Sequence, residues 1–147
     1  MTATPRKSRT TKTRTKRHPS EIAPGVFVGG WNDALEFEGK RYCVLDELPS
    51  DAPADGGYTI YDEATEAPNV ANLNRLAEAV RQARAGGSPV LIFCGHGVRR
   101  SPLAGAWYLH RSEGIDLDAA YDRIRAVRPK VEHAKEWIPH PDALDRA

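Results

Sequence analysis

The sequence predicts an α/β fold, a mainly parallel twisted sheet flanked by helices in a single domain. Short β-branched, apolar runs bounded by Gly and Pro alternate along the chain with segments whose apolar residues recur every three or four positions. Strands alternating with amphipathic helices build parallel sheets covered on their faces. At 147 residues the chain suits one domain with a real core.

The globular part is expected to start at residue 21, giving a domain over 21–147. Glu21-Ile22-Ala23-Pro24-Gly25-Val26-Phe27-Val28-Gly29-Gly30 reads as a strand pair punctuated by Pro and Gly. Trp31 to Phe37 follows as a brief helix ended by Gly39. Tyr42-Cys43-Val44-Leu45 is apolar on all sides, as in a buried parallel strand. Residues 46–57, with Pro49, Pro53, Gly56 and Gly57, read as a loop, and residues 58–61 as a further short strand. The clearest helix spans 68–85, where Val70, Leu73, Leu76, Ala77, Val80 and Ala83 share a face, and Gly86-Gly87 ends it. Pro89-Val90-Leu91-Ile92 is the next strand. The last helix covers 117–127, with 117, 120, 121, 124 and 127 as its apolar set and Pro129 behind it.

Residues 1–20 carry Arg6, Lys7, Arg9, Lys12, Arg14, Lys16 and Arg17 and no acid, so a formal net charge of +1 conceals an acidic remainder. Rich in Thr and Ser and without apolar periodicity, this stretch is expected to be a disordered basic tail. RNA or an anionic surface would suit it as partner, and so would plain solvent. No apolar run approaches the ~18–20 residues of a membrane span, and the N-terminus lacks the apolar core of a signal peptide. Two cysteines are too few for a disulfide framework, which points to a reducing, cytoplasmic setting. The histidines show no ligand spacing, so neither metal nor other cofactor is expected.

The most informative stretch is Phe93-Cys94-Gly95-His96-Gly97-Val98-Arg99-Arg100-Ser101, between the apolar run and a helix-like segment starting at Pro102. Glycines on both sides of His96 let backbone N–H groups converge as an anion-binding nest. The loop empties into a helix N-terminus, which favours negative charge as well. Arg99 and Arg100 sit badly at that end of a helix unless an oxyanion is bound. Residues 95–100 therefore form a phosphate cradle, and Cys94 stands at its base, where the same field favours a thiolate.

Cys-x-x-x-x-x-Arg-Ser, with glycine third after the cysteine, resembles the signature of the cysteine-dependent protein phosphatases, specifically the dual-specificity group. The entry strand and small helix, and the stretch from Trp107 through Gly114 to Arg128-Pro129, resemble the same family, so the likeness covers residues 22–137. It implies a protein-phosphatase-like fold and hydrolysis of phosphotyrosine, with phosphoserine and phosphothreonine as further monoester substrates, through a phosphocysteine intermediate. Phosphorylated protein is the implied partner. Cys94 would be the nucleophile and Arg100 the bidentate clamp on two phosphate oxygens. The hydroxyl of Ser101 would stabilise the departing thiolate, a role compatible with capping the helix that Pro102 begins. Tyr61-Asp62-Glu63-Ala64 resembles the family's aspartate loop, which makes Asp62 the general acid, with Glu63, Asp46, Asp51 and Asp55 as open alternatives. An acid that must be protonated gives an optimum on the acidic side of neutrality. Cys43 is either a core thiol or a disulfide partner for oxidised Cys94, as in some relatives.

Two positions depart from the pattern. Cys-x-His-Gly is what the cysteine-type RNA 5′-triphosphatases of capping enzymes display, and Phe93 stands where the family commonly has His. A second reading is therefore an RNA 5′-phosphatase, against which Ser101-Pro102 and Asp62 speak. A third is a non-catalytic phosphate-binding module.

Overall fold

The structure is a computed structural model and describes residues 18–45, 52–62 and 67–134, with the side chains of Asp62 and Ala67 excepted. Residues 1–17, and with them every cation of the basic tail, lie outside the described residues, as do 135–147.

Five strands form the main sheet: β1 (Ser20–Ala23), β2 (Val26–Gly30), β3 (Lys40–Cys43), β4 (Gly56–Gly57) and β7 (Val90–Cys94). Their spatial order is β1-β2-β7-β3-β4, with β1 antiparallel to β2 and every other pair parallel. A separate antiparallel pair joins β5 (Tyr61–Asp62) to β6 (Ala67–Pro68). The helices are α1 (Trp31–Glu36), α2 (Val70–Ala85), α3 (Arg100–Glu113) and α4 (Leu117–Val127). The expected mainly parallel sheet with flanking helices is therefore what forms.

β7 is central and all five of its residues are buried, which is why it reads as an unbroken apolar run. Its side chains alternate between two cores. Val90, Ile92 and Cys94 join the large cluster with Leu73, Leu76, Val80, Trp107 and Ile124, while Leu91 and Phe93 join a smaller one with Ala34 and Cys43. α3 packs between α2 and α4 and buries nearly all of its first eight residues.

Local chemistry fixes the helix ends. Asn69 Oδ1 accepts the Asn72 N–H at 2.9 Å to start α2, and Asp116 Oδ1 accepts the Ala119 N–H at 2.8 Å to start α4. Gly114, at φ 71°, closes α3 in the left-handed conformation.

Several elements differ from the sequence reading. The strand expected over 42–45 covers Lys40–Cys43, although the Val44 N–H still reaches the Phe93 carbonyl at 3.0 Å. Gly56 and Gly57, assigned to a loop, pair with Tyr42 and Cys43, and a Cβ on Gly56 would crowd the Tyr42 ring at 3.3 Å. Residues 58–60 are not a strand, because their groups bond irregularly. The Tyr58 N–H donates to the Cys43 carbonyl, the Ile60 carbonyl accepts from Asn69 N–H, and the Thr59 carbonyl accepts from the Asn72 amide at 2.8 Å. Only Tyr61 of the expected strand pairs, in β5. Val127 is exposed, so the apolar stripe of α4 ends at Ile124. β1 begins at Ser20, and His18 already accepts a bond from the domain, so ordered contacts reach into the stretch assigned to the tail.

Candidate active site

β7 delivers Cys94 to the C-terminal edge of the sheet beside Gly30 of β2, its register partner. The chain then turns through residues 95–99 into α3. Cys94 is 5% exposed, and its Sγ lies 3.3 Å from the Gly97 N–H, 3.5 Å from the Ser101 N–H and 3.5 Å from the Ser101 Oγ.

The loop's carbonyls explain why its amides converge. A trans peptide points its C=O and the following N–H in opposite directions, so a carbonyl tied on the outside turns the next amide inward. Gly95 C=O accepts the Trp31 N–H at 3.0 Å, and Val98 C=O accepts the Glu132 N–H at 2.9 Å. Between them, Gly97 C=O accepts from Arg128 Nε at 2.8 Å and His96 C=O from Arg128 Nη2 at 3.5 Å. Four consecutive carbonyls are thus held outward, and the amides of His96, Gly97, Val98 and Arg99 face the interior. This is an anion nest built around a sulfur.

Close approach fixes two glycines. Gly97 has φ 73°, and a Cβ there would lie 2.6 Å from the Gly29 carbonyl carbon and 2.5 Å from Arg128 Nη2. A Cβ on Gly30 would meet the Gly95 carbonyl oxygen at 2.8 Å. The turn from β2 into α1 therefore forms the wall on which the loop rests.

Each sequence-predicted residue has a definite place. Gly95 and His96 are exposed, Gly97 is buried and Val98 is half-buried. Arg99 is the N-cap residue of α3 and Arg100 its first residue, so both stand at the anion-favouring end. Ser101 is inside the first turn, not at the cap. It is fully buried and its hydroxyl donates to the Gly29 carbonyl at 3.0 Å, because the tight loop pulls the helix start back to Arg100. Asp62 ends β5, in the two-stranded sheet and not in the one that carries Cys94. Among the alternative acids, Asp55 is bound by Arg41, accepting its backbone N–H at 2.9 Å near the start of β3, the end away from the loop. Glu63, Asp46 and Asp51 lie outside the described residues.

Cys43 pairs with Phe93 in register and packs with Ala34, Leu91 and Phe93, on the face opposite Cys94. Burial pushes its thiol up from its ordinary value. Side chains on opposite faces of a sheet cannot be bridged without moving backbone, which favours the core-thiol reading.

Sequence reasoning missed Arg128, Asp33 and the paired glycines of β2 as parts of this site. The Arg128 side chain is 12% exposed and donates to His18 O at 2.8 Å and Ser20 Oγ at 3.0 Å as well as to the loop. Asp33, 6% exposed, lies 4.0 Å from that guanidinium and accepts the Gly30 N–H at 2.9 Å. Burial lowers the Arg128 pKa, and the charges of Asp33 and Cys94 act in the opposite direction. The signals were present as a glycine pair closing an apolar strand and an arginine between an amphipathic helix and a proline.

Comparison with known proteins finds relatives along most of the chain. Mouse dual specificity protein phosphatase 12 is 27% identical over 134 residues, which cover 82% of this chain and 40% of the relative, so the chain spans about two fifths of that protein's length. Human dual specificity phosphatase 28 is 26% identical over 121 residues, 76% of this chain and 68% of the relative. Among solved structures, human DUSP28 superposes with a TM-score of 0.71 at 20% identity over 87% of this chain and 93% of that one. PTPMT1 in complex with PI(5)P superposes with a TM-score of 0.73 at 16% identity, over 87% and 94%. The family model described as dual specificity phosphatase, catalytic domain, matches residues 55–139, more than half of the sequence, and the chain belongs to the dual specificity phosphatase family.

Proposed function

We propose that this chain is a phosphomonoesterase that hydrolyses phosphotyrosine and, in a shallow pocket, phosphoserine and phosphothreonine in proteins. The observation that carries the reading is the Cys94 sulfur at the focus of the inward-facing amides of the loop, 3.3 Å from the Gly97 N–H. The Cys94 thiolate attacks phosphorus, an S–P bond forms, and the ester P–O bond breaks. Charge on the three equatorial oxygens falls to the nest amides and the Arg100 fork, a fixed donor set that needs no reorganisation during reaction. Asp62 gives its proton to the leaving oxygen. Water then attacks the phosphocysteine while Asp62 takes a proton from it, and the thiolate departs. The Ser101 hydroxyl has one hydrogen, held by Gly29 O before reaction; rotating it onto the sulfur stabilises the departing thiolate.

A thiolate nucleophile favours a reducing compartment such as the cytoplasm. No helix among the described residues is long and apolar enough to cross a membrane. The domain assigned to 21–147 takes in Ser20 as well, the first residue of β1, and the cations of residues 1–17 give it an electrostatic handle for RNA or an anionic surface, measurable as salt-dependent binding that is lost on their deletion.

The test is phosphate release from a phosphotyrosine peptide, a phosphoserine peptide and 5′-triphosphorylated RNA, with wild type and Cys94→Ser. Hydrolysis of the peptides by wild type alone is expected. RNA hydrolysis in preference to both peptides would transfer the reading to the RNA 5′-phosphatases. Phosphate binding without turnover of any substrate would make the chain a binding module.

A further inference from the structure

Two of the four outward carbonyls are held by backbone amides, and the other two by a single side chain outside the signature. We propose that Arg128 is the positioning residue of the phosphate nest, its fork setting two consecutive peptide groups so that the N–H groups of Gly97 and Val98 point at the Cys94 sulfur and at the oxyanion bound there. This rests on the reading of Cys94 as the nucleophile.

The geometry is that of a clamp and not of a surface contact. Nε takes Gly97 O at 2.8 Å and Nη2 takes His96 O at 3.5 Å, the two carbonyls whose peptides carry the Val98 and Gly97 amides. Gly97 N–H, on the far side of its peptide from the guanidinium, meets the sulfur at 3.3 Å. The remaining donor group is anchored elsewhere: Nη1 bonds His18 O and Ser20 Oγ at 2.8 and 3.0 Å. Asp33 Oδ2, at 4.0 Å, opposes the charge. A planar cation held on three sides cannot rotate, so neither can the peptides it holds. Without it, the 96–97 and 97–98 peptides flanking a glycine in the left-handed conformation have no outer partner among the described residues, and they are free to flip. A flip would replace an inward N–H by an inward C=O, which repels both thiolate and phosphate. The charge of Arg128 also lies behind the loop, where Cys94 and the guanidinium interact favourably.

The experiment compares Arg128→Met, which keeps the length and loses the donors, with Arg128→Lys, which keeps the charge but not the planar fork. Readouts are kcat/KM on an aryl phosphate, competitive inhibition by tungstate and urea unfolding. Ile124→Val, a core truncation in α4, serves as a purely structural comparison. For Arg128→Met the expected result is a loss of about 10²-fold in kcat/KM with tungstate inhibition weakened about tenfold or more, the scale of losing an oriented donor. Arg128→Lys should lose at least about tenfold in kcat/KM, while Ile124→Val keeps wild-type tungstate affinity. If Met fails to fold, Lys decides alone. Either folded variant matching wild type within about twofold in both readouts overturns the assignment. So does an equal loss of tungstate affinity in Ile124→Val, or failure of both Arg128 variants to fold, since Arg128 then serves the fold and not the loop. A wild type that binds tungstate without hydrolysing the ester would sink the phosphatase reading and leave the tungstate comparison to judge Arg128. A wild type that binds no tungstate ends both.

Discussion

Gly97→Ala should damage this protein far more than the loss of one hydrogen atom suggests. Residue 97 has φ 73°, where an L-residue pays about 1–2 kcal/mol. The new Cβ would also stand 2.6 and 2.8 Å from the carbonyl carbon and oxygen of Gly29, and 2.5 Å from Arg128 Nη2. The arginine could withdraw only by loosening its hold on the loop carbonyls. Gly29 belongs to β2 and its carbonyl already binds the Ser101 hydroxyl, so the strand has little room to yield. Overpacking of this kind costs about 1–3 kcal/mol, which brings the total to roughly 2–5 kcal/mol. Because relief requires turning the 96–97 peptide, kcat/KM for an aryl phosphate should fall by about 10²-fold in whatever protein remains folded. Gly95→Ala is the control: a Cβ there meets no atom within 4 Å and its φ is not positive, so its stability should stay within about 0.5 kcal/mol of wild type. Urea titration of the two variants side by side, followed by kinetics at fixed folded concentration, checks both halves. Equal stability for the two alanines would refute the packing of loop on strand from which the nest geometry is argued.

Ser101→Ala removes the hydroxyl that donates to Gly29 O and accepts from the Cys94 thiol, leaving a buried carbonyl without that donor; a stability loss of about 1–3 kcal/mol is expected. Its turnover should become limited by phosphocysteine hydrolysis, visible as a burst of released phenol followed by a slow phase. Asp62→Asn should slow phosphotyrosine hydrolysis by ~10²–10⁴, less as the leaving phenol becomes more acidic, and should remove the decline in rate at higher pH, whereas Glu63→Gln should do neither. The Cys43 thiol, raised by burial, remains protonated in the native protein at pH values where the unfolded chain has already lost that proton. Its stabilising effect is therefore complete below the unfolded thiol's ~8.5 and is lost as pH climbs through the higher folded value, at a slope of at most about 1.4 kcal/mol per pH unit. Denaturant titrations from pH ~8 to ~10 should show that decline in wild type and a flatter curve for Cys43→Val; identical curves would remove Cys43 as its source.

What the sequence revealed and what it concealed follow one physical division. α2 and α4 are legible because their burial is periodic, β7 because burial on both faces leaves an unbroken apolar run, and the loop from Cys94 to Arg100 because strand end, glycine turn and helix start are contiguous in the chain. Gly56 and Gly57 read as part of a loop because glycine carries no strand signal, yet their backbone pairs beside Tyr42, where a side chain would crowd the ring. Residues 58–60 look like a strand by composition, but Asn69 and Asn72 claim their carbonyls, a contact no local window reveals. Pro102 suggests a helix start that would let Ser101 serve also as its cap, but the loop moves that start to Arg100. Arg128 was invisible for the strongest reason: its partners, residues 18, 20, 33, 96 and 97, lie far from it in sequence, so only the closed fold makes it part of the site.

The most direct measurement is rapid acid quench of the enzyme during turnover of an aryl phosphate, followed by mass spectrometry of the peptide containing residues 94–100. A covalent phosphate on Cys94 is expected in wild type, more of it in Ser101→Ala, where thiolate departure is slowed, and none in Cys94→Ser. Turnover with no phosphate on Cys94 in either of the first two proteins, or activity surviving in Cys94→Ser, would contradict the reading of Cys94 as the nucleophile.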